Sequence, residues 1–200
     1  MTREMLFALA LGYLFGSVPF GLVLTRIAGK GDVRQIGSGN IGATNVLRTG
    51  SKALAALTLV LDCLKATAAI LVAQRLFGEQ AGAYAATGAL LGHLYPVWLR
   101  LHGGKGVATL LGILLGLQLW PAAIVYAAAW IFLLLTLRIS SLAGMTAAVT
   151  APIVAFALHS SYFPLLLGFA LLVLWKHREN ILRLRRGIEP RVGSRRSSAA

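Results

Sequence analysis

Long apolar runs separated by short polar connections limit this chain more than any other feature. They fall at about 4 to 25, 53 to 74, 81 to 99, 107 to 120, 121 to 137, 141 to 158 and 162 to 175. A helix needs roughly 20 apolar residues to cross a bilayer. Inside hydrocarbon no water is present to bond the backbone, so only helices and closed barrels satisfy it. These runs are apolar throughout rather than alternating, which predicts an all-α polytopic integral membrane bundle of about seven transmembrane helices, the fourth and seventh short. A 58% hydrophobic content and a mean hydropathy of +0.77 exclude an ordinary soluble domain.

The cations orient such a bundle. Tracing seven spans, one side receives Arg26, Lys30, Arg34, Arg48, Lys52, Arg100, Lys105, Arg138 and the eight Lys and Arg from Lys176 to Arg196. The other side receives Arg3 and Arg75, and Lys65 lies inside a span. Cytoplasmic connections carry the excess of Lys and Arg, so the N-terminus is expected outside and the C-terminus in the cytoplasm. The formal charge of +13 is thereby explained as orienting charge, and with no aromatic and basic surface module it points to no nucleic acid. A lone cysteine, Cys63, allows neither a disulfide framework nor a cysteine-rich metal site. Glu4 near the start and the lack of an A-x-A-like cleavage site lead us to expect a retained helix rather than a signal peptide in the first run. No internal repeat divides the chain, so residues 1–193 are expected to form one domain, with 194–200 a disordered basic and polar tail.

Three polar segments interrupt the apolar pattern, all on the expected cytoplasmic side. The first, Gly37 to Arg48, lies in the longest connection, and a connection of that length is seldom a passive linker. Gly37 and Gly39 let the backbone approach a ligand and turn N–H groups toward an oxyanion. Ser38, Asn40, Thr44 and Asn45 add neutral groups, and Arg48 stands one helical turn beyond Thr44. A turn followed by a helix cap is the plainer reading of the same residues.

The second segment runs from Gly92-His93 to Gly103-Gly104-Lys105-Gly106. A lysine flanked by glycines ahead of a helix can offer both an ammonium and a helix N-terminus to one phosphate. It is not a Walker A loop, because Gly106 stands where Ser or Thr is required. His93 is either a ligand or base, or a hydrogen-bonded structural group. The third segment, Lys176 to Pro190, contains His177, Asn180 and Glu189. In a helix His177, Asn180 and Leu184 share a face, while Arg178, Arg185 and Arg186 point toward headgroups. Ser141 begins another span on the same side, facing the pocket or capping its helix. Asp62 and Lys65, three residues apart inside a span, either neutralise each other or serve the site.

Taken together, these segments resemble the bacterial acyl-phosphate-dependent glycerol-3-phosphate acyltransferases, the PlsY family. Its patterns GSGNxGATNxxR, GHxxPV followed by GGKG, and KHxxNIxRLxxGxE fall at residues 37–48, 92–106 and 176–189. Leu101 and His102 stand where the family often has an aromatic and a lysine, and Ile188 where threonine is frequent. The resemblance implies acyl transfer from acyl phosphate to the 1-hydroxyl of glycerol 3-phosphate at the cytoplasmic face of the bacterial inner membrane. It also implies a functional link to the soluble enzyme that makes acyl phosphate. The family lacks the H-x-x-x-x-D pair of thioester-dependent acyltransferases, and no Asp follows any histidine here at that spacing. Ser38, Lys105, His177 and Asn180 are the expected catalytic residues. Gly37, Gly39, Asn40, Thr44, Asn45, Arg48, His93, Gly103, Gly104, Gly106, Ser141 and Glu189 are expected to bind substrate. No carboxylate cluster dense enough for magnesium is present, so neither metal nor cofactor is expected. A transporter or lipid-binding membrane protein is the rival reading, since an anion nest in a bundle would serve it as well.

Overall fold

In the computed structural model residues 2–193 are described, so the expected tail from Ser194 lies outside the described residues. Among those residues the regular structure is helical. The first apolar run is split into α1 (Arg3–Gly16) and α2 (Phe20–Ile27). Pro19 explains the break, since its ring excludes the residue before it from helical geometry and it lacks an N–H. A short helix, α3 (Ala43–Val46), folds within the long connection. Next comes α4 (Lys52–Phe77), whose 26 residues make a rod about 39 Å long at 1.5 Å per residue. The third run is shorter than its hydrophobicity suggests. Its helix α5 (Ala81–Leu94) stops ahead of Pro96, and the remainder is a turn. The remaining helices are α6 (Val107–Gly116), α7 (Trp120–Leu137), α8 (Ser140–Ala157), α9 (Phe163–Lys176) and α10 (Arg178–Arg185).

Among the described residues four helical stretches are long and apolar enough to cross a membrane: Arg3–Ile27, Lys52–Phe77, Trp120–Leu137 and Ser140–Ala157. Val107–Gly116 and Phe163–Lys176 are apolar but short, as their runs predict. The outer faces carry Phe132, Leu135 and Phe156 at 66%, 75% and 66% exposure. An apolar shell of that kind belongs against lipid, not water.

Small residues draw the helices together. Gly12 and Gly16 of α1 meet the backbone of Ala85 and Ala89, while Gly88 and Gly92 of α5 meet Leu9 and Tyr13. The two helices therefore run parallel through matched small-xxx-small faces, the way apolar helices associate where burial of oil in oil provides no drive. Gly112 of α6 packs on the Cys63 carbonyl of α4, and Gly116 on Thr67 and Ile70, so this pair is also parallel. The consequence is positional. Helices that run the same way bring the loops before α4, after α5, before α6, before α8 and after α9 to one end of the bundle.

Candidate functional site

Asn45 organises the first loop. Its amide nitrogen donates to the carbonyls of Val33, Ile36 and Asn40 at 2.7, 3.1 and 2.8 Å. Its oxygen accepts the Ser38 N–H and an Arg48 guanidinium N–H, each at 3.1 Å. Every bonding position of the side chain is thus spent inside the protein, and Asn45 is buried. Asn40 likewise accepts the Gly42 N–H at 2.8 Å. This differs from the open nest expected of the segment: the N–H groups of Ser38 and Gly39 are taken, the latter by the Ile36 carbonyl at 3.0 Å. What the loop presents outward is the side chains of Ser38, Thr44 and Arg48, all exposed. Gly37 adopts φ 57°, and a Cβ there would strike Arg48 and Asn45, so glycine is needed to seat the arginine.

The glycine and lysine loop is held from below by α5. Tyr13 donates its hydroxyl to the Tyr95 carbonyl at 2.8 Å and accepts the Val97 N–H at 3.1 Å, and the Trp98 indole donates to Ser17 at 2.8 Å. These bonds tie the turn after α5 to α1. Gly103 then donates to the Leu94 carbonyl at 3.2 Å and Gly104 to that of His93 at 2.9 Å. Here too the expected backbone donors are partly consumed, because a sharp reversal after a helix end leaves carbonyls that the returning strand of loop must satisfy. A Cβ on Gly104 would collide with the His93 imidazole. Gly106 sits at φ 87° as the residue preceding α6, and the loop so directs Lys105 toward the far end of the chain.

There, α10 follows α9 directly across His177, and with the turn after it supplies a network centred on Glu189. Ser141 donates its hydroxyl to Glu189 Oε1 at 2.6 Å, the Asn180 amide to the same oxygen at 2.5 Å, and Arg183 Nε to Oε2 at 2.7 Å. Burial would raise the Glu189 carboxyl, but the bonds from Ser141, Asn180 and Arg183 outweigh it and hold the group below its usual value. Asn180 Oδ1 accepts the Lys105 ammonium. Burial, reinforced by the charges of Arg183 and Arg48 against those of Glu189 and Glu179, brings that ammonium down to about 8. His177 donates Nδ1–H to the Val173 carbonyl at 2.8 Å, leaving Nε2 as the free lone pair. Burial lowers its imidazole to about 4. His177 is therefore neutral at pH 7.

Lys105, Ser141, His177, Asn180 and Glu189 thus converge, with Arg48 close enough for its charge to act on Lys105. His93 lies beneath the loop rather than in line with them. Ser141 bonds Glu189 and makes no cap, the alternative that its place at a helix start left open. Arg183 is a fixed position of the third pattern but has no role among the expected site residues; its place one turn after Asn180 and six residues before Glu189 brings it into the network. The exposed Arg178, Arg185 and Arg186 point away from the network, as their helical face predicts.

Fold and network together define a class: a multi-pass helical membrane protein whose loops gather cationic and hydrogen-bonding side chains at one end of the bundle. Residues 6–187 match the family model described as glycerol-3-phosphate acyltransferase, and the chain belongs to that family. It is 56% identical over 190 residues to a glycerol-3-phosphate acyltransferase of Rhodopseudomonas palustris strain BisB5, covering 94% of this chain and 96% of that one. Against the Mesorhizobium japonicum enzyme of the same name identity is 53% over 196 residues, 98% of this chain and the whole of that one. Among solved structures, the glycerol 3-phosphate form of PlsY, an integral membrane glycerol 3-phosphate acyltransferase, superposes with a TM-score of 0.87 at 36% identity, covering 94% of this chain and 96% of that one. The lysophosphatidic acid form of PlsY gives 0.84, again at 36% identity and 94% of each chain.

Proposed function

We propose that this protein transfers a fatty acyl group from acyl phosphate to the 1-hydroxyl of glycerol 3-phosphate, releasing 1-acylglycerol 3-phosphate and inorganic phosphate. The observation that carries the reading is the chain of bonds from Lys105 through Asn180 to Glu189 in a member of a glycerol-3-phosphate acyltransferase family. The substrates suit such a site. Both bring a phosphate, and two anions in one pocket repel unless fixed positive charge compensates them. Lys105, Arg48 and Arg183 supply that charge, while Ser38, Thr44 and Ser141 supply hydroxyls.

Acyl phosphate is a mixed anhydride, so its leaving group departs as a stabilised phosphate and needs no strong acid. The hydroxyl oxygen at C1 attacks the acyl carbonyl, a carbon–oxygen bond forms to the glycerol, and the bond from carbonyl carbon to phosphate oxygen breaks. The displaced electron pair leaves on phosphate. The hydroxyl proton passes to a substrate phosphate oxygen, or to Nε2 of His177. An imidazole near 4 is a weak acceptor at neutral pH, which favours the phosphate as base. Among the described residues the Ser38 hydroxyl has the Asn45 amide oxygen as its bonded partner, at 3.4 Å, and that oxygen takes no proton. Direct transfer follows, with Ser38 as a hydrogen-bond donor.

Seven spans with an outside N-terminus and a cytoplasmic C-terminus fit the cation distribution, and put the site on the cytoplasmic face of the inner membrane. Residues 1–193 act as one domain. Acyl phosphate is amphiphilic and hydrolytically labile, so a soluble enzyme that makes it would work at the same face. The test is phosphate release from acyl phosphate by purified protein. Release that depends on glycerol 3-phosphate supports acyl transfer, and release at the same rate without acceptor sinks it.

A further inference from the structure

A buried ionisable cluster lies outside the network just described. Asp62, Lys65 and His93 are 3%, 5% and 4% exposed, on α4 and α5 within the apolar bundle. Charged groups at such depth are costly and persist where something pays for them. The Lys65 ammonium has three N–H groups and finds three acceptors: Asp62 Oδ1 at 2.6 Å, the Val18 carbonyl at 2.9 Å and His93 Nδ1 at 3.0 Å. A helical side chain leans toward its N-terminus, so Lys65 reaches from within α4 toward the end of the bundle that carries the site. The Val18 carbonyl lies at the break before Pro19 and also accepts the Phe20 N–H at 3.2 Å.

Paired with the Asp62 carboxylate at 2.6 Å, Lys65 stands as an ammonium, and that charge state places a proton on His93. An ammonium cannot accept a hydrogen bond, so Nδ1 of His93 is the acceptor and the imidazole hydrogen sits on Nε2. That edge of the ring occupies the space a side chain at Gly104 would need, and the His93 carbonyl accepts the Gly104 N–H at 2.9 Å. One residue therefore touches the loop twice, by its backbone and by its ring. We propose that Lys65, aimed by Asp62, is a positioning residue for acyl transfer: it holds His93 in the tautomer that turns an N–H, not a lone pair, toward the loop Gly103 to Gly106. The inference rests on the reading that this loop handles a substrate phosphate, and it deepens that reading. A phosphate oxygen meets a donor there, and His93 is removed from the candidates for general base.

His93→Asn keeps an acceptor near Nδ1 but nothing in the place of Nε2, whereas His93→Gln can put an amide N–H in that place. Both leave the ion pair of Asp62 and Lys65 intact. Steady-state kinetics with both substrates, on proteins matched for thermal unfolding in detergent, separate the outcomes. His93→Asn is expected to lose on the order of 100-fold in kcat/KM, chiefly through KM for a phosphate substrate, as misplacement near 1 Å can cost. His93→Gln recovers most of that loss. Lys65→Met matches His93→Asn, and the double variant is no worse than either, because the two act as a unit. Equal activity of Asn and Gln variants, a parent-like Lys65→Met, or losses that multiply would overturn the proposal. Should Lys65→Met fail to assemble, the comparison of Asn with Gln decides alone. Lys105→Ala is the control: if it is inactive while His93→Asn is normal, this inference falls alone. If Lys105→Ala is as active as the parent, the site reading falls and takes the inference with it.

Discussion

Lys105 and Asn180, 75 residues apart, are joined by a bond from the lysine ammonium to the asparagine Oδ1. The other end of the same amide donates to Glu189, so each end of Asn180 has a partner of one polarity and the side chain has only one satisfactory orientation. The loop before α6 is thereby locked to the helix after α9. Ionised carboxylate at one end and ammonium at the other make both bonds charge-assisted, the stronger kind.

Asn180→Asp should therefore be worse than its near-identical shape suggests. It places a carboxylate oxygen where the amide now donates to Glu189 Oε1 at 2.5 Å, and like charges there repel. We expect loss of roughly 100- to 1,000-fold in kcat, as for removal of one preorganised donor. Lys105→Ala should fall as far, while Arg185→Ala, exposed on the outer face of α10, should keep most of its activity. Activity assays on variants that purify at parental yield check the set. An Arg185→Ala loss equal to that of Lys105→Ala would show that the line between pocket and surface cations is drawn wrongly.

The pH profile carries a second expectation. With its ammonium near 8, Lys105 is charged below that pH and neutral above it, so it loses its charge in a range where an ordinary lysine, near 10.5, keeps it. If its charge compensates phosphate, kcat/KM declines above about pH 8 and approaches tenfold per unit. Lys105→Arg stays protonated throughout, so the surviving activity should lose that limb. His177, near 4, contributes no acid limb above about pH 5. A limb near 8 that persists in Lys105→Arg would assign it to another group.

Much of this was legible in the order of residues, and the rest fails for identifiable reasons. Apolar length gave the helices, since hydrocarbon leaves a backbone no alternative. The end of α5 escaped that signal because Tyr95 to Leu99 are as apolar as a span, and only Pro96 marks the turn. In the site, residue types revealed which segments matter but not which groups stay free. Asn45 looks like a ligand in a polar run, yet its amide is consumed by three carbonyls that only folding brings to it. Gly103 and Gly104 look like phosphate donors, and their N–H groups close the loop on α5 instead. Lys65 and His93 are 28 residues apart, and no local pattern links them.

Orientation can be read directly. Sixteen Lys and Arg lie on the side assigned to the cytoplasm and two on the other, so a reporter fused after Ala200 should be active inside the cell and one fused before Met1 outside. Single cysteines placed at exposed Ser38 and Arg185, in a Cys63→Ala background, should both react only with a reagent that crosses the membrane. Labelling of Ser38→Cys by an impermeant reagent in intact cells would reverse the bundle.

The last expectation concerns the donor and the path of the acyl group. If the donor is acyl phosphate, its leaving group departs as an anion that Lys105 and Arg48, whose charges act on each other, can receive. A thioester offers no such charge, and no histidine is followed by the aspartate that thioester-dependent relatives in chemistry use, so acyl-CoA should not serve. Nor should an acyl-enzyme form. Cys63 stands in α4 beside the backbone of Gly112, away from the network around Glu189, and Cys63→Ala should remain active. Among the described residues the Ser38 hydroxyl bonds an amide oxygen, so Ser38→Ala should lower turnover by roughly 10- to 1,000-fold, the range for one lost hydrogen-bond donor, without abolishing it. Mass spectrometry of protein quenched during incubation with acyl phosphate alone decides the path. An unmodified chain fits direct attack by the glycerol hydroxyl, whereas an added acyl mass on Ser38 would make transfer a two-step reaction through the enzyme.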